Sequence, residues 1–442
     1  MTIQLSDHFT HGRLIRFTLP SIVMMIFTSI YGVVDGIFVS NFVGKTPFAA
    51  VNLIMPVCMI FGALGFMIGT GGSALVSKLL GEKKPDEANS VFSMLVYVSI
   101  AASAVLSLIG VVFLEPIAIW LGAEGDMVGY CVAYGRILLI SVPTFILQNE
   151  FQSFLIVAEK PQLGLIVTVA AGVTNIVLDA LFVGLFKWGL EGAAIATFIS
   201  QVVGGVILLI YFATSRTSPI RLTRARLDGR ALLKTCTNGS SEMMTNLSLS
   251  LVNMLYNFQL IRLAGENGVA AYGVIMYVNF IFIGVFVGYS VGSAPIISYH
   301  YGAQNHDELR NLRVKSLRLL GIASVGMTAL AIPLSGPLAS IFVSYDADLL
   351  EMTRRGFMLY SLSFLVMGVN IFASSFFTAL NNGLVSALIS FLRTLLFQVA
   401  AILLLPLVLG LDGVWLAIVA AELMGLIVSI FFLARMKRTY HY

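Results

Sequence analysis

Residues 44–57 read GKTPFAAVNLIMPV, and residues 265–278 read GENGVAAYGVIMYV. Gly44, Ala49, Ala50, Ile54, Met55 and Val57 of the first stretch fall on Gly265, Ala270, Ala271, Ile275, Met276 and Val278 of the second, a shift of half the 442-residue chain. The same half-chain shift carries Gly71, Ser77, Gly81, Asp86 and Glu87 onto Gly292, Ser298, Gly302, Asp307 and Glu308. It carries Gly135, Asn149, Ser153 and Ala158 onto Gly356, Asn370, Ser374 and Ala379, and Leu190, Gly192 and Ala196 onto Leu411, Gly413 and Ala417. One register held without a gap from end to end marks an internal duplication, because chance apolar matches would drift.

The solvent of the repeated unit follows from composition. Apolar residues make up 58% of the chain and charged residues 11%, against about 45–50% and about 25% in soluble domains. A membrane helix takes about 20 apolar residues, so twelve spans use roughly 240 and leave only short loops. That excludes a soluble enzyme and an attached ATPase domain, so the driving energy has to come from elsewhere. The runs predict twelve helices over 14–40, 48–77, 89–114, 128–157, 162–185, 191–213, 231–261, 269–299, 315–334, 352–379, 385–409 and 413–434. They are too long for membrane strands and lack their alternation. The expected fold is an all-α membrane protein with an N-terminal six-helix bundle at 1–213, a linker at 214–230 and a C-terminal bundle at 231–442. Six helices return each half to the same side, so the repeat is parallel, its pseudo-two-fold axis along the membrane normal. Two bundles facing a cleft can rock about a midplane site, as secondary transporters do; a channel needs no such arrangement.

Basic loops stay on the cytoplasmic side. Nineteen Lys and Arg residues fall at the N-terminus, the 78–84 turn, Lys160, the linker, the 300–318 loop and the C-terminus, against six on the opposite side. Both termini are therefore expected in the cytoplasm, with the chain multi-pass in the inner or plasma membrane. The net charge of +4 reads as topology and contact with anionic lipids, not as a nucleic-acid surface. Residues 1–12 do not read as a removable signal peptide, and the first helix is expected to serve as its own insertion signal. Cys58, Cys131 and Cys236 are odd in number and scattered, which suits packing and not a disulfide framework.

A carboxylate within a span costs about 2.5–3.5 kcal/mol on insertion scales and by default signals function. Asp35, Glu150, Asp179, Glu242 and Glu422 qualify, with Arg393 as the clear intramembrane cation. The interior should be net negative and favour cationic ligands. No histidine lies within a span, so any proton carrier has to be a carboxylate. Asn175 and Asp179 are four apart on one face of helix 5 and can point at one ion; the plainer reading is that the amide makes the acid's burial tolerable. Thr197 in helix 6 can add a hydroxyl oxygen, though such threonines usually bond their own backbone. Asp35 and Asp179, if close, cannot both stay ionised cheaply, so one is expected to hold a proton or a cation. The half-chain shift takes Asp35, Asn175 and Asp179 to Tyr256, Leu396 and Ala400, so ion chemistry is expected in the N-terminal half alone. Glu150 and Glu242 suit a gate or substrate-entrance role as well as plain snorkelling at the interface. Glu422 pairs by the repeat with Gln201, which favours a structural hydrogen bond. Pro20 removes a backbone hydrogen bond from helix 1 and can bend it, as a static kink or a moving one. Met24, Met25, Phe27 and Tyr31 suit helix packing or a greasy, adaptable pocket. Gly44-Lys45-Thr46 is no phosphate loop, because it lacks the first glycine and follows no strand. No zinc, nucleophile-elbow or other catalytic motif occurs, and the chain does not read as an enzyme.

The stretch Tyr31–Pro56, YGVVDGIFVSNFVGKTPFAAVNLIMP, and the repeated Gly-x-x-x-x-x-Ser-x-x-x-Gly turns ending at Gly81 and Gly302 resemble the MATE (multidrug and toxic compound extrusion) family, near its DinF-type and MepA-type branches. The likeness covers essentially the whole chain. It implies a cation-coupled antiporter, with H+ or Na+ as the coupling ion and no other cofactor, expelling hydrophobic, often cationic drugs. It implies that Asp35, Asn175, Asp179 and Thr197 form the cation site, as Na+ ligands if sodium is the ion, and that Pro20 forms the helix-1 bend. The NorM-type branch instead uses carboxylates in helices 7 and 10. Here helix 7 has Glu242 near its start and mid-helix 10 has no acid, so a C-half sodium site is not expected. The rival readings are a lipid-linked oligosaccharide flippase, which should have a more cationic cavity, and a channel or receptor. Small hydrophobic or cationic molecules and membrane lipids are the expected partners, nucleic acid is not, and a monomer is expected.

Overall fold

Gly265 decides how many times the chain crosses. It lies within the 74-residue stretch Gly229–Gly302, otherwise helical throughout, and its φ of 61° and ψ of −149° are non-helical. At 1.5 Å per residue that run would be about 110 Å long, several times the ~30 Å hydrocarbon core. A backbone conformation open chiefly to glycine folds it into two spans. The computed structural model describes residues 3–43, 45–344 and 346–442, with side chains at all of these except 33, 35–41, 45, 46, 48, 49 and 52. Among the described residues, eleven helical segments are long and apolar enough to cross a membrane, and the one divided at Gly265 supplies two crossings.

In chain order the twelve are α1 His11–Phe42, α2 Lys45–Gly81, α3 Pro85–Trp120, α4 Asp126–Val157, α5 Pro161–Asp179 with a π turn Ala180–Leu185, and α6 Gly189–Thr214. There follow α7 at 229–264, α8 at 266–302, α9 His306–Val343, α10 Ala347–Ala379, α11 Gly383–Leu409 with a π turn Leu392–Leu396, and α12 Leu411–Arg435. Every expected helix is present, and most are longer than their apolar runs. The extreme is α9, expected at 315–334, whose first turns carry Arg310, Arg313 and Lys315; helix continues through charged residues that only the headgroup layer or water can solvate. The exterior is an apolar coat, with Leu108, Ile322, Leu407 and Ile427 among its exposed side chains. This is a multi-pass membrane protein.

Turn chemistry repeats with the sequence. Lys84 N–H bonds the Leu79 carbonyl and Lys83 N–H that of Leu80; at the repeat-related positions, Asn305 bonds His300 and Gln304 bonds Tyr301. Lys83 and Gln304 both take positive φ, closing Schellman-type helix ends. After α4 and α10 the same turn recurs as Lys160 to Leu155 and Asn382 to Phe377, one position beyond the half-chain shift. The register therefore slips by one at that point, and it has recovered by Gly189 and Gly410, both at positive φ. Asp228, Asn305 and Asp346 then cap α7, α9 and α10 with their side chains.

The first six helices meet the last six along α1 with α8 and α2 with α7 and α8. A Cβ on Gly288 would stand 2.5 Å from Ile22 Cα, and one on Gly292 3.2 Å from Thr18 Cβ. At the end of the molecule where the basic turns lie, a Cβ on Gly81 would overlap the Tyr299 carbonyl and one on Gly302 the Lys78 carbonyl. Both pairs, Gly81 with Gly302 and Lys78 with Tyr299, are related by the half-chain shift. The contact thus reads the same from either side, as a two-fold arrangement requires. Ser298 Oγ and Asn381 Nδ2 donate to the Ala74 carbonyl beside it, and this end is closed.

Candidate functional site

Helices α1 and α5 run in the same direction and touch where Gly172 faces Phe27 and Tyr31; a Cβ there would stand 2.5 Å from the Phe27 ring and 3.3 Å from that of Tyr31. One turn further along α1 lies Asp35, and two turns further along α5 lies Asp179. Helix α1 also meets the π turn Ala180–Leu185 that begins just after Asp179. The backbones therefore carry both acids to one region. The Asp35 side chain is outside the described residues. Asp179 is fully buried and Asn175 nearly so, one turn below it. Asn175 Nδ2 donates to Thr197 Oγ1 of α6 at 3.5 Å, which leaves the amide oxygen as the group able to face a cation. Of the four expected cation-site residues, the structure brings Asn175 and Thr197 together and sets Asp179 on the same face. A π turn widens a helix by one residue and recurs at functional sites; here it starts at the acid. Pro20 is buried within an unbroken α1, between Thr18 and Ser21, which pack on the glycines of α8.

Glu150 is wholly inside the first six helices. Gly69 of α2 lies so close that a Cβ on it would be 3.1 Å from Glu150 Cα, and the Ser99 hydroxyl of α3 faces its carboxyl. A snorkelling reading does not fit a carboxyl with no route to the interface. Glu242 sits in the first half of α7, partly exposed, one turn past Gly239, where a Cβ would overlap the Met67 carbonyl of α2. It thus stands where the close contact of the two halves ends, in the field of Arg393.

The second half carries a buried polar network of its own. Arg393, on the π turn of α11, pairs with Glu422 of α12 at 3.0 Å, and Asn370 of α10 donates to Glu422 Oε2 at 2.7 Å and to its carbonyl at 2.8 Å. The structural role expected of Glu422 is what these bonds describe. Below them, Ser374 meets Ser386 and Ser390 at 2.9 Å, and Thr378 meets Ser386 at 2.7 Å. The signal lay in the spacing: Ser374 and Thr378, then Ser386, Ser390 and Thr394, recur at every fourth position and so line one face of each helix. The network uses none of Tyr256, Leu396 and Ala400, the repeat mates of Asp35, Asn175 and Asp179.

A bundle of twelve helices, duplicated and closed at one end about a two-fold, with buried acids in both halves, has the architecture of a membrane transporter. A sequence model of the MatE family matches residues 20–181 and 243–403, and the chain belongs to that family. It is 24% identical over 416 residues to the multidrug export protein MepA of Staphylococcus aureus strain MSSA476, spanning 93% of this chain and 91% of that one. Its fold is similar to a crystal structure of MATE in complex with MaL6, with a TM-score of 0.93, 22% identity and 98% of each chain covered. It is equally similar to a multidrug resistance MATE family transporter of the MOP superfamily in its outward-facing conformation, with a TM-score of 0.93, 23% identity and 98% and 97% of the two chains covered.

Proposed function

We propose that this chain is a multidrug efflux antiporter that exchanges H+ or Na+ for hydrophobic, often cationic molecules, by alternating access between bundles 1–213 and 231–442. The observation that carries the reading is Asp179, fully buried where α5 passes into its π turn, beside the Asn175–Thr197 bond and against α1. The positive-inside rule puts the end with the basic turns in the cytoplasm, so the closed end described above is cytoplasmic and the site is reached from outside. A cation arriving from outside meets Asp35 and Asp179. Carboxylate, amide and hydroxyl oxygens are hard ligands suited to Na+, and two neighbouring carboxylates in a low dielectric favour sharing a proton. Either ion relieves the same repulsion, lets α1 change its bend about Pro20 and disfavours the drug-bound form. Exchange needs ion and drug to compete or to favour opposite-facing states. Glu242, where the close contact of the two halves ends, and Glu150, inside the first bundle, are the second line of acids, with a gate or substrate-entry role. The MepA name of the relatives, which cover nearly the whole chain, supports small-molecule export.

The test is efflux of a fluorescent cationic dye from proteoliposomes under an imposed pH gradient or an imposed Na+ gradient. Wild type should respond to one gradient, which names the ion, and Asp35→Asn and Asp179→Asn should each lower the rate at least tenfold. Equal dye movement in wild type and both variants overturns the mechanism.

A further inference from the structure

Residues 3–9, ahead of α1, do more than lead into the membrane. We infer that they form a strap which latches the two halves together at the cytoplasmic end and has to leave its seat on α9 each time that end opens, an inference that rests on the alternating-access reading above. At its tip, Leu5 N–H donates to Glu159 Oε1 at 2.8 Å, in the turn after α4 of the first half. At its root it is held by the second half. Phe9 N–H donates to Glu308 Oε1 at 2.9 Å, His8 Nδ1 meets Glu308 Oε2 at 2.6 Å, and the Phe9 carbonyl accepts from Asn311 Nδ2 at 3.0 Å and Lys315 Nζ at 2.7 Å. Leu5 and Phe9 are buried and belong to the apolar core of the last six helices. This short leader thus bridges both bundles with directed bonds and two buried side chains.

A second strap, ahead of α7 as the first is ahead of α1, makes the arrangement architectural. The stretch ahead of α7 lies on α3 of the first half: Arg221 N–H donates to Asn89 Oδ1 at 2.7 Å, Thr223 N–H to Ser93 Oγ at 2.8 Å, and Tyr97 OH to the Thr223 carbonyl at 3.2 Å. The leader of each bundle is therefore seated on the third helix of the other. The residues used are unlike: Glu308, which holds the first strap, is the repeat mate of Glu87, an exposed residue that faces Lys84 instead. The linker strap is tied at both ends by the chain. The N-terminal strap is the one held by a carboxylate of the other half, Glu308, which takes both the Phe9 N–H and the His8 ring.

The test has two arms in a Cys236→Ser background, which leaves the buried Cys58 and Cys131. Spin labels at Lys160→Cys and Ala303→Cys report the separation across the cytoplasmic end in lipid nanodiscs. Phe9→Ala and Glu308→Ala should shift the distance distribution toward longer values, while Phe9→Leu should not; unchanged distributions in both Ala variants overturn the strap. In the second arm, His8→Cys with Glu308→Cys is joined by a short bifunctional thiol reagent with a reducible link. Dye efflux should fall at least tenfold on joining and return on reduction, and full efflux while joined overturns the requirement for release. If unmodified protein shows no gradient-driven efflux, the antiport reading fails, and the distance arm still decides the strap.

Discussion

Two buried or half-buried acids show how differently a carboxyl can be accommodated. Glu422 is matched on every side, by Arg393 at 3.0 Å and by Asn370 at 2.7 Å. Removing one member of such a pair strands the other charge and costs about 3–5 kcal/mol, whereas replacing both by apolar residues of similar size is often neutral. Arg393→Met should therefore lower the melting temperature in detergent sharply, and Arg393→Met with Glu422→Leu should recover most of it; a double variant no better than the single would show that the pair is not the source. Glu159 sits in the turn after α4. Burial pushes its carboxyl above the ordinary range, with the charge of Asp7 adding to the effect. A carboxyl whose folded pKa is raised contributes stability that is present below its unfolded value, about 4.3, and is lost as pH rises through the folded value. Glu159→Gln keeps a carbonyl acceptor for Leu5 and does not ionise. It should gain on wild type in melting temperature as pH rises from the unfolded value through the folded one, and a constant difference would refute the shift.

The elements differ in what specifies them. Long apolar runs made the twelve helices readable, and the largest errors fall where charged turns extend a helix past the bilayer, as in α9. The slip of one position after α4 and α10 was hidden because flanking identities keep the half-chain register; hydrogen bonds reveal it. Between elements, Gly81 and Gly302 let α2 and α8 approach until backbone meets backbone. Gly81→Val or Gly302→Val should destabilise this closed end by about 1–3 kcal/mol, the usual range for overpacking. Because the two contacts are mates, each variant should move the Lys160–Ala303 label distance in the same direction; an effect from only one of them would break the two-fold account.

At the scale of the molecule, α1 lies against the first half through Phe27 and Tyr31 on Gly172 and against the second through Thr18, Ser21 and Ile22 on Gly288 and Gly292. Under the antiport mechanism proposed above, a helix packed on both bundles, with a proline between its ends and an acid beyond, would serve as the mechanical link. Loss of Asp179 should therefore be felt across the whole interface. Asp179→Asn should reduce the effect of the driving ion on the Lys160–Ala303 distance distribution at least as strongly as it reduces efflux. An ion response equal to that of wild type would separate the site from the motion.

By itself the sequence determined the solvent, the number and order of the helices, the duplication and the face shared by Asn175 and Asp179. Each of these is a matter of composition or of fixed helical periodicity, which act along the chain. Tertiary structure alone decided that Asn175 reaches Thr197, that Glu422 is matched by Arg393 and Asn370, and that residues 3–9 cross between the bundles. Those depend on which helices become neighbours. Leu5 and Phe9 stand in a polar leader, and nothing local to them states that the core they fill belongs to the other half of the chain.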